Sequence, residues 1–224
     1  MEIFDKKTAS EVAAKLLEIE AIRLQPNNPF TWASGWKSPI YCDNRLALSY
    51  PKVRKFIKNK LIEAIQEYFP NVEAIAGVAT AGIPQGALLA DKMDLPFLYV
   101  RSKAKGHGME NMIEGKVTPG QKVVVIEDLV STGGSSLKAV ADLKAAGFEV
   151  LGMMAIFTYG FDVAKQNFEE AGVKLVCLSD YSSMLPQALA DDFIDDYTLA
   201  SLVEWRKNPS VWGKQLTSTE DDNI

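Results

Sequence analysis

Apolar residues recur along this chain with two different periods. Val12, Leu16, Ile19 and Ile22 stand three or four apart and predict an amphipathic helix, and Thr8-Ala9-Ser10-Glu11 before them fits a capping box. A second helix is predicted to open around Ser49-Tyr50-Pro51, with proline tolerated in its first turn. It carries Val53, Phe56, Ile57, Leu61, Ile62, Ile65 and Tyr68 on one face and ends near Pro70. Beyond that point the pattern changes to short apolar runs at 74–78, 97–100, 123–126, 151–157 and 175–178, each reading as a buried strand. Helical segments at 84–92, 136–146 and 162–171 fall between them, and Gly147 and Gly172 close the last two. Alternating strands and helices predict an α/β fold with a mainly parallel central sheet and helices on both faces. Ligands of such sheets bind beyond the carboxyl ends of the strands, which directs attention to the loops after Val78, Val100 and Ile126. The polar, acidic stretch 215–224 is expected to be a flexible tail.

Composition narrows the classes. With 224 residues, 47% of them hydrophobic, the chain is long enough for one sizeable core. No apolar run approaches the roughly 20 residues a membrane span needs. The first residues lack a basic start followed by an apolar run, so a cytoplasmic protein is expected. Cys42 and Cys177 lie far apart and His107 is the only histidine, which rules out the usual zinc constellation. A net charge of -5 speaks against broad nucleic-acid binding. A small anionic ligand remains compatible, provided that positive charge is concentrated locally.

Two segments carry chemistry. At 123–136 a strand delivers Glu127 and Asp128 to its carboxyl end, and the turn Ser131-Thr132-Gly133-Gly134-Ser135-Ser136 enters a helix. Free N–H groups at a helix start suit a phosphate, glycines let the main chain approach it, and hydroxyls add donors. Carboxylates cannot bind phosphate directly; they can accept from vicinal hydroxyls or hold a hydrated magnesium ion, so the combination points to a sugar phosphate. A plain helix cap needs one hydroxyl and explains neither the acid pair nor the two glycines. Neither the P-loop nor the dinucleotide fingerprint is present. The second segment, 101–108, holds Arg101, Lys103, Lys105 and His107 with no acid before Glu110. Flanked by Gly106, Gly108, Gly115 and Gly120, it suits a lid that closes on a polyanion.

These residues carry a resemblance. Val-Val-Val-Ile-Glu-Asp-Leu-Val-Ser-Thr-Gly-Gly-Ser at 123–135 resembles the phosphoribosyl diphosphate (PRPP) signature of type I phosphoribosyltransferases. Arg-x-x-x-Lys-x-His-Gly at 101–108 is similar to the catalytic loop of orotate phosphoribosyltransferases. Phe-Thr-Trp-Ala-Ser-Gly-Trp-Lys-Ser-Pro-Ile-Tyr at 30–41 is similar to the segment that receives orotate in that family. The resemblance implies a single phosphoribosyltransferase domain over 1–224, with 1–48 forming a base-binding hood.

It also implies roles for individual residues. Glu127 and Asp128 face the ribose hydroxyls, while Leu129, Val130, Ser131, Thr132, Gly133, Gly134 and Ser135 wrap the 5-phosphate. Thr80 and Ala81, with Gly82, form the pyrophosphate loop. Arg101, Lys105 and His107 contact pyrophosphate across the interface of a homodimer. Ser131, Tyr41 and Lys37 contact orotate, and magnesium is held by PRPP and waters near Asp128. The implied reaction joins orotate to PRPP and releases orotidine 5-phosphate and pyrophosphate, a step of pyrimidine biosynthesis. Some members carry lysine where Ala33 and Ser102 stand and arginine near Tyr159; this chain has none of the three. A phosphoribosyltransferase for another nucleobase, or a PRPP-sensing regulator without catalysis, are the alternatives.

Overall fold

A computed structural model describes residues 1–32, 35–103 and 112–212. The chain opens with β1 (Glu2–Ile3) and α1 (Lys6–Glu18), followed by four short strands, β2 (Ile22–Leu24), β3 (Phe30–Thr31), β4 (Lys37–Ser38) and β5 (Ile40–Cys42). A 3-10 helix (Asn44–Ser49) leads into α2 (Pro51–Tyr68). The alternating part comprises β6 (Ala74–Val78), α3 (Gly82–Met93), β7 (Phe97–Val100), β8 (Ile113–Glu114), β9 (Lys122–Val130) and α4 (Gly134–Ala145). It continues through β10 (Glu149–Thr158), α5 (Asp162–Glu170) and β11 (Leu175–Asp180) to α6 (Tyr181–Ala190) and α7 (Asp196–Lys207).

The main sheet has the order β1-β11-β10-β9-β6-β7-β8, parallel throughout except for the antiparallel pair β7 and β8. Period-two alternation sorts its side chains onto two cores. Ile75, Val124, Ile126, Met154, Ile156, Val176 and Leu178 pack with α1, α2 and α6. Their neighbours Ala74, Ala76, Val123, Val125, Met153, Ala155, Leu175 and Cys177 pack with α4 and α5. Burial on both faces is why these strands read as continuous apolar runs. No helix among the described residues is long and apolar enough to cross a membrane.

Strand 74–78 and strand 97–100 stand where the pattern places them. Three expectations need correction. Helix α1 ends at Glu18 with Ile19 as its C-cap, so Ile22, placed on that helix by its spacing, opens β2 instead. The first helix starts at Lys6 and its cap is Asp5, whose Oδ1 accepts from the Thr8 backbone N–H at 2.8 Å. Thr8 is buried inside the first turn, because an extended Asp5 offers a carboxylate to the free amides before any later hydroxyl can. The third concerns the acid strand: β9 runs on to Val130, so Glu127 and Asp128 lie within it and not at its end. The ladder to β10 continues through the pairs Phe157 with Leu129 and Thr158 with Val130, and that partner keeps β9 extended.

Beside this sheet, β2 pairs with β5 and β3 with β4, both antiparallel. The β3–β4 hairpin is tied down by Trp205 of α7, which is fully buried and donates from Nε1 to the Lys37 carbonyl at 3.2 Å. The Trp205 ring centroid lies 5.5 Å from Trp32, 5.9 Å from Tyr159 and 5.7 Å from Phe161. Burial of so many rings at edge-on angles joins the N-terminal strands firmly to the sheet.

Candidate active site at the sheet switch point

From β6 the chain moves outward to β7 in one direction, whereas β9, β10 and β11 follow in the other. The order therefore reverses between β6 and β9, and a crevice opens at the carboxyl ends of strands at such a point. Its shape follows from the register: pairing of β6 with β9 stops at Gly77 and Ile126, so beyond Ile126 one edge of β9 has no strand beside it. The chain after Val78 turns instead through Ala79, Thr80 and Ala81 into α3. Two glycines permit that turn to sit so close. A Cβ on Gly82 would lie 2.2 Å from the Ile126 carbonyl oxygen, and one on Gly77 would lie 2.7 Å from the Gly82 oxygen.

A pocket of about 410 Å³ fills the crevice, lined by Cys42, Asp43, Arg45, the 78–81 turn, Glu127, Asp128, Leu129 and Ser135. Glu127 is nearly inaccessible; its Oε2 accepts from Ser136 Oγ and its Oε1 from the Asp128 backbone N–H, both at 3.0 Å. Burial first, and the neighbouring Asp128 charge second, push its carboxyl up to about 8. Asp128 is also raised, chiefly by burial, while hydrogen bonds from Glu127 and the Leu129 amide, and after them the Arg45 charge, pull it back down. The pair can therefore hold a proton at neutral pH, as two close carboxylates in a poorly solvated cleft must.

The loop after β9 presents the helix start that the sequence suggests. Gly133 caps α4 in the left-handed region at φ 83°, where a Cβ would also meet Phe168 at 2.6 Å. No side chain caps α4, so its first amides face the crevice without a protein acceptor from a capping side chain. Thr132 is fixed through its carbonyl, which accepts from Asn167 Nδ2 at 2.9 Å. Val130 sits differently from its loop neighbours: its side chain is fully buried and its carbonyl accepts from Thr158 Oγ1 at 3.0 Å.

A second pocket of about 280 Å³ adjoins the first at Cys42 and Leu129, and is lined also by Thr31, Trp32, Tyr41, Ser131 and Tyr159. Burial raises the Cys42 thiol and the Tyr159 phenol well above their ordinary values, so both present neutral groups. Tyr41 and Ser131 are thus brought together. Lys37 does not line this pocket; its ammonium donates to the hydroxyl of Thr31, which does, at 2.9 Å. Arg101 follows β7 and lies 3.4 Å from Glu114 Oε1, in a smaller recess shared with Ser135 and Lys138. Lys105 and His107 lie outside the described residues.

The sequence alone did not point to Asp43, Asn44 and Arg45. Asn44 is buried and donates from Nδ2 to the Asp128 carbonyl at 2.7 Å, while its Oδ1 accepts from Cys42 Sγ at 3.3 Å. A polar triplet directly after a strand was the available signal, yet its partner stands 84 residues away.

The family model for the phosphoribosyl transferase domain matches residues 48–183. Over 204 residues the chain is 59% identical to the orotate phosphoribosyltransferase of Cytophaga hutchinsonii, spanning 91% of this chain and 98% of that one. The corresponding enzyme of Listeria innocua is 60% identical with the same coverage. The chain belongs to the orotate phosphoribosyltransferase family. Among solved structures, the orotate phosphoribosyltransferase of Aeropyrum pernix superposes with a TM-score of 0.71 at 30% identity, covering 79% of this chain and 97% of that one. Leishmania donovani UMP synthase gives 0.76 at 26% identity over 89% of this chain, which spans 42% of that longer protein. In this family fold, the mainly parallel sheet supplies the switch-point crevice, and Thr31, Trp32, Tyr41 and Cys42 of the N-terminal segment wall the pocket beside it.

Proposed function

We propose that the chain transfers the phosphoribosyl group of PRPP to orotate, giving orotidine 5-phosphate and pyrophosphate. The observation that carries this reading is the pair of contiguous pockets: one holds an acid pair beside an uncapped helix start, the other is walled by aromatic rings. The first suits a sugar phosphate and the second a flat heterocycle. A bond forms between an orotate ring nitrogen and C1 of the ribose as the C1–O bond to pyrophosphate breaks, and the proton of that nitrogen leaves with the pyrophosphate or to water. Positive charge grows on the sugar ring and negative charge on the leaving group, so fixed charges placed at those two points lower the barrier.

Glu127 and Asp128 accept hydrogen bonds from the ribose hydroxyls and favour the cationic ring. The amides and hydroxyls of 131–135 hold the 5-phosphate, the 79–82 turn meets the pyrophosphate, and Ser131, Tyr41 and Lys37 orient the base. Among the described residues no cluster of three or more potential ligands could hold a metal by protein groups alone. Magnesium asks for less, one or two carboxylates with waters and substrate phosphates, and Asp128 in the pocket wall meets that requirement. Bound there, the ion would neutralise charge on the diphosphate. The proposed active unit is a homodimer in which Arg101, Lys105 and His107 reach the neighbouring site, and residues 1–48 form the hood over the base.

The test follows the ultraviolet absorbance of orotate with PRPP, with and without magnesium, and product formation with uracil, hypoxanthine or adenine instead. Magnesium-dependent consumption of orotate, with the other bases inert, is expected. Transfer to another base with orotate untouched would overturn the assignment of the base pocket, and PRPP binding without transfer to any base would make the protein a PRPP sensor. Mixed Lys105→Ala and Asp128→Asn subunits should regain part of the activity; no recovery in demonstrated heterodimers refutes the shared site.

A further inference from the structure

The pocket assigned to PRPP is poor in positive charge. Among the described residues that line it, three are carboxylates, Asp43, Glu127 and Asp128, and one is a cation, Arg45. The turn at 79–81, which meets the diphosphate in the proposed reaction, carries no charged side chain. Magnesium and the neighbouring subunit's loop come from outside this pocket, so among its described lining residues Arg45 is the one cation that can meet the diphosphate beside that turn.

Arg45 is built into place. Its Nε and Nη2 donate to the two oxygens of Asp43 at 2.6 and 2.9 Å, and its backbone N–H donates to Asp43 Oδ1 at 3.2 Å. The next residue back, buried Asn44, bonds the Asp128 carbonyl, which anchors the start of the 3-10 helix to the acid strand. The fork to Asp43 engages one edge of the guanidinium and leaves the Nη1 hydrogens and one Nη2 hydrogen outside that pair. A purely decorative surface ion pair needs neither the pocket wall nor the buried asparagine behind it.

We propose that Arg45 binds the diphosphate of PRPP in its own subunit's site, with Asp43 as the positioning residue that holds the guanidinium. The inference rests on the phosphoribosyl transfer reading and adds a contact from the N-terminal segment to the departing group.

The full-length protein and its Arg45→Ala, Arg45→Lys and Asp43→Asn variants would be titrated calorimetrically with magnesium pyrophosphate and, separately, with ribose 5-phosphate. KM for PRPP and for orotate would be measured in parallel. Arg45→Ala should weaken pyrophosphate binding and raise KM for PRPP by about ten- to a hundredfold, the range for losing a charged hydrogen-bond donor. Ribose 5-phosphate binding and KM for orotate should stay within about twofold, and Arg45→Lys should recover part of the loss because it keeps charge without the fork. Asp43→Asn should weaken pyrophosphate binding less than Arg45→Ala does. Should the alanine variant fail to fold, Arg45→Gln takes its place. Pyrophosphate affinity within twofold of the parent in the neutral variant overturns the proposal. If the parent binds pyrophosphate in an Arg45-dependent way yet transfers nothing to orotate, the reaction assignment falls and the Arg45 contact stands.

Discussion

Replacing Glu127 by glutamine should trade activity for stability, and the trade should depend on pH. Folding buries the Glu127 carboxyl against Asp128 and pushes it from the ordinary 4.5 up to about 8. The native state therefore holds a proton that the unfolded chain has already released. Between those two pH values the unfolded chain binds fewer protons than the native one, so stability falls as pH rises. At about 1.4 kcal/mol per pKa unit, the whole interval amounts to on the order of 5 kcal/mol. For a chain of this size that corresponds to roughly 10 to 20 °C in Tm.

A glutamine keeps one oxygen for the Asp128 amide, can turn its NH2 to the Ser136 hydroxyl, which accepts as well as donates, and never has to ionise. Melting curves of ligand-free parent and Glu127→Gln, recorded without magnesium from pH 5 to pH 9, should nearly coincide at the acid end. They should separate progressively toward pH 9, with the variant the more stable. Titrations elsewhere, such as that of the helix-capping Asp195, are common to both proteins and cancel in the difference. In the same variant kcat/KM should fall by about a hundredfold or more at pH values where the parent carboxyl is ionised, since the amide can never offer a negative charge to a developing cation. Melting curves that stay parallel across the whole range would refute the idea that burial strains this carboxyl.

Three further outcomes follow from single contacts. Gly82→Ala drives a Cβ into the Ile126 carbonyl, so it should cost about 1–3 kcal/mol by overpacking and, by shifting the 79–81 turn against the acids, about a hundredfold in kcat/KM; a parent-like Tm and rate would count against that tight contact. Ser136→Ala removes the buried donor to Glu127 and should raise KM for PRPP about tenfold, while Ser136→Thr restores it; equal KM values in all three proteins would leave Ser136 a merely structural residue. Asp5→Ala should cost about 1 kcal/mol in urea unfolding with kcat/KM unchanged, whereas Thr8→Val should leave the cap intact; a larger loss in the Thr8 variant would restore the capping box.

Much of this protein is written locally. The strands at 74–78 and 97–100, the helix ending before Pro70 and the glycine stops at 147 and 172 follow from period, proline and left-handed turns, all decided by residues a few positions apart. The acid pair and the hydroxyl-glycine turn were legible for the same reason, since strand, carboxylates and helix start are contiguous. What the tertiary structure decided are the relations between distant segments. It brings Asn44 to Asp128, Ser136 to Glu127, and Trp205 to Trp32 and Tyr159, and it lets β10 carry β9 past the acids while β6 turns away. Those outcomes depend on which surfaces bury each other and which backbone edges find partners. No local spacing along the chain encodes them, so the raised carboxyl of Glu127 and the place of Arg45 in the pocket wall emerge only once the sheet is assembled.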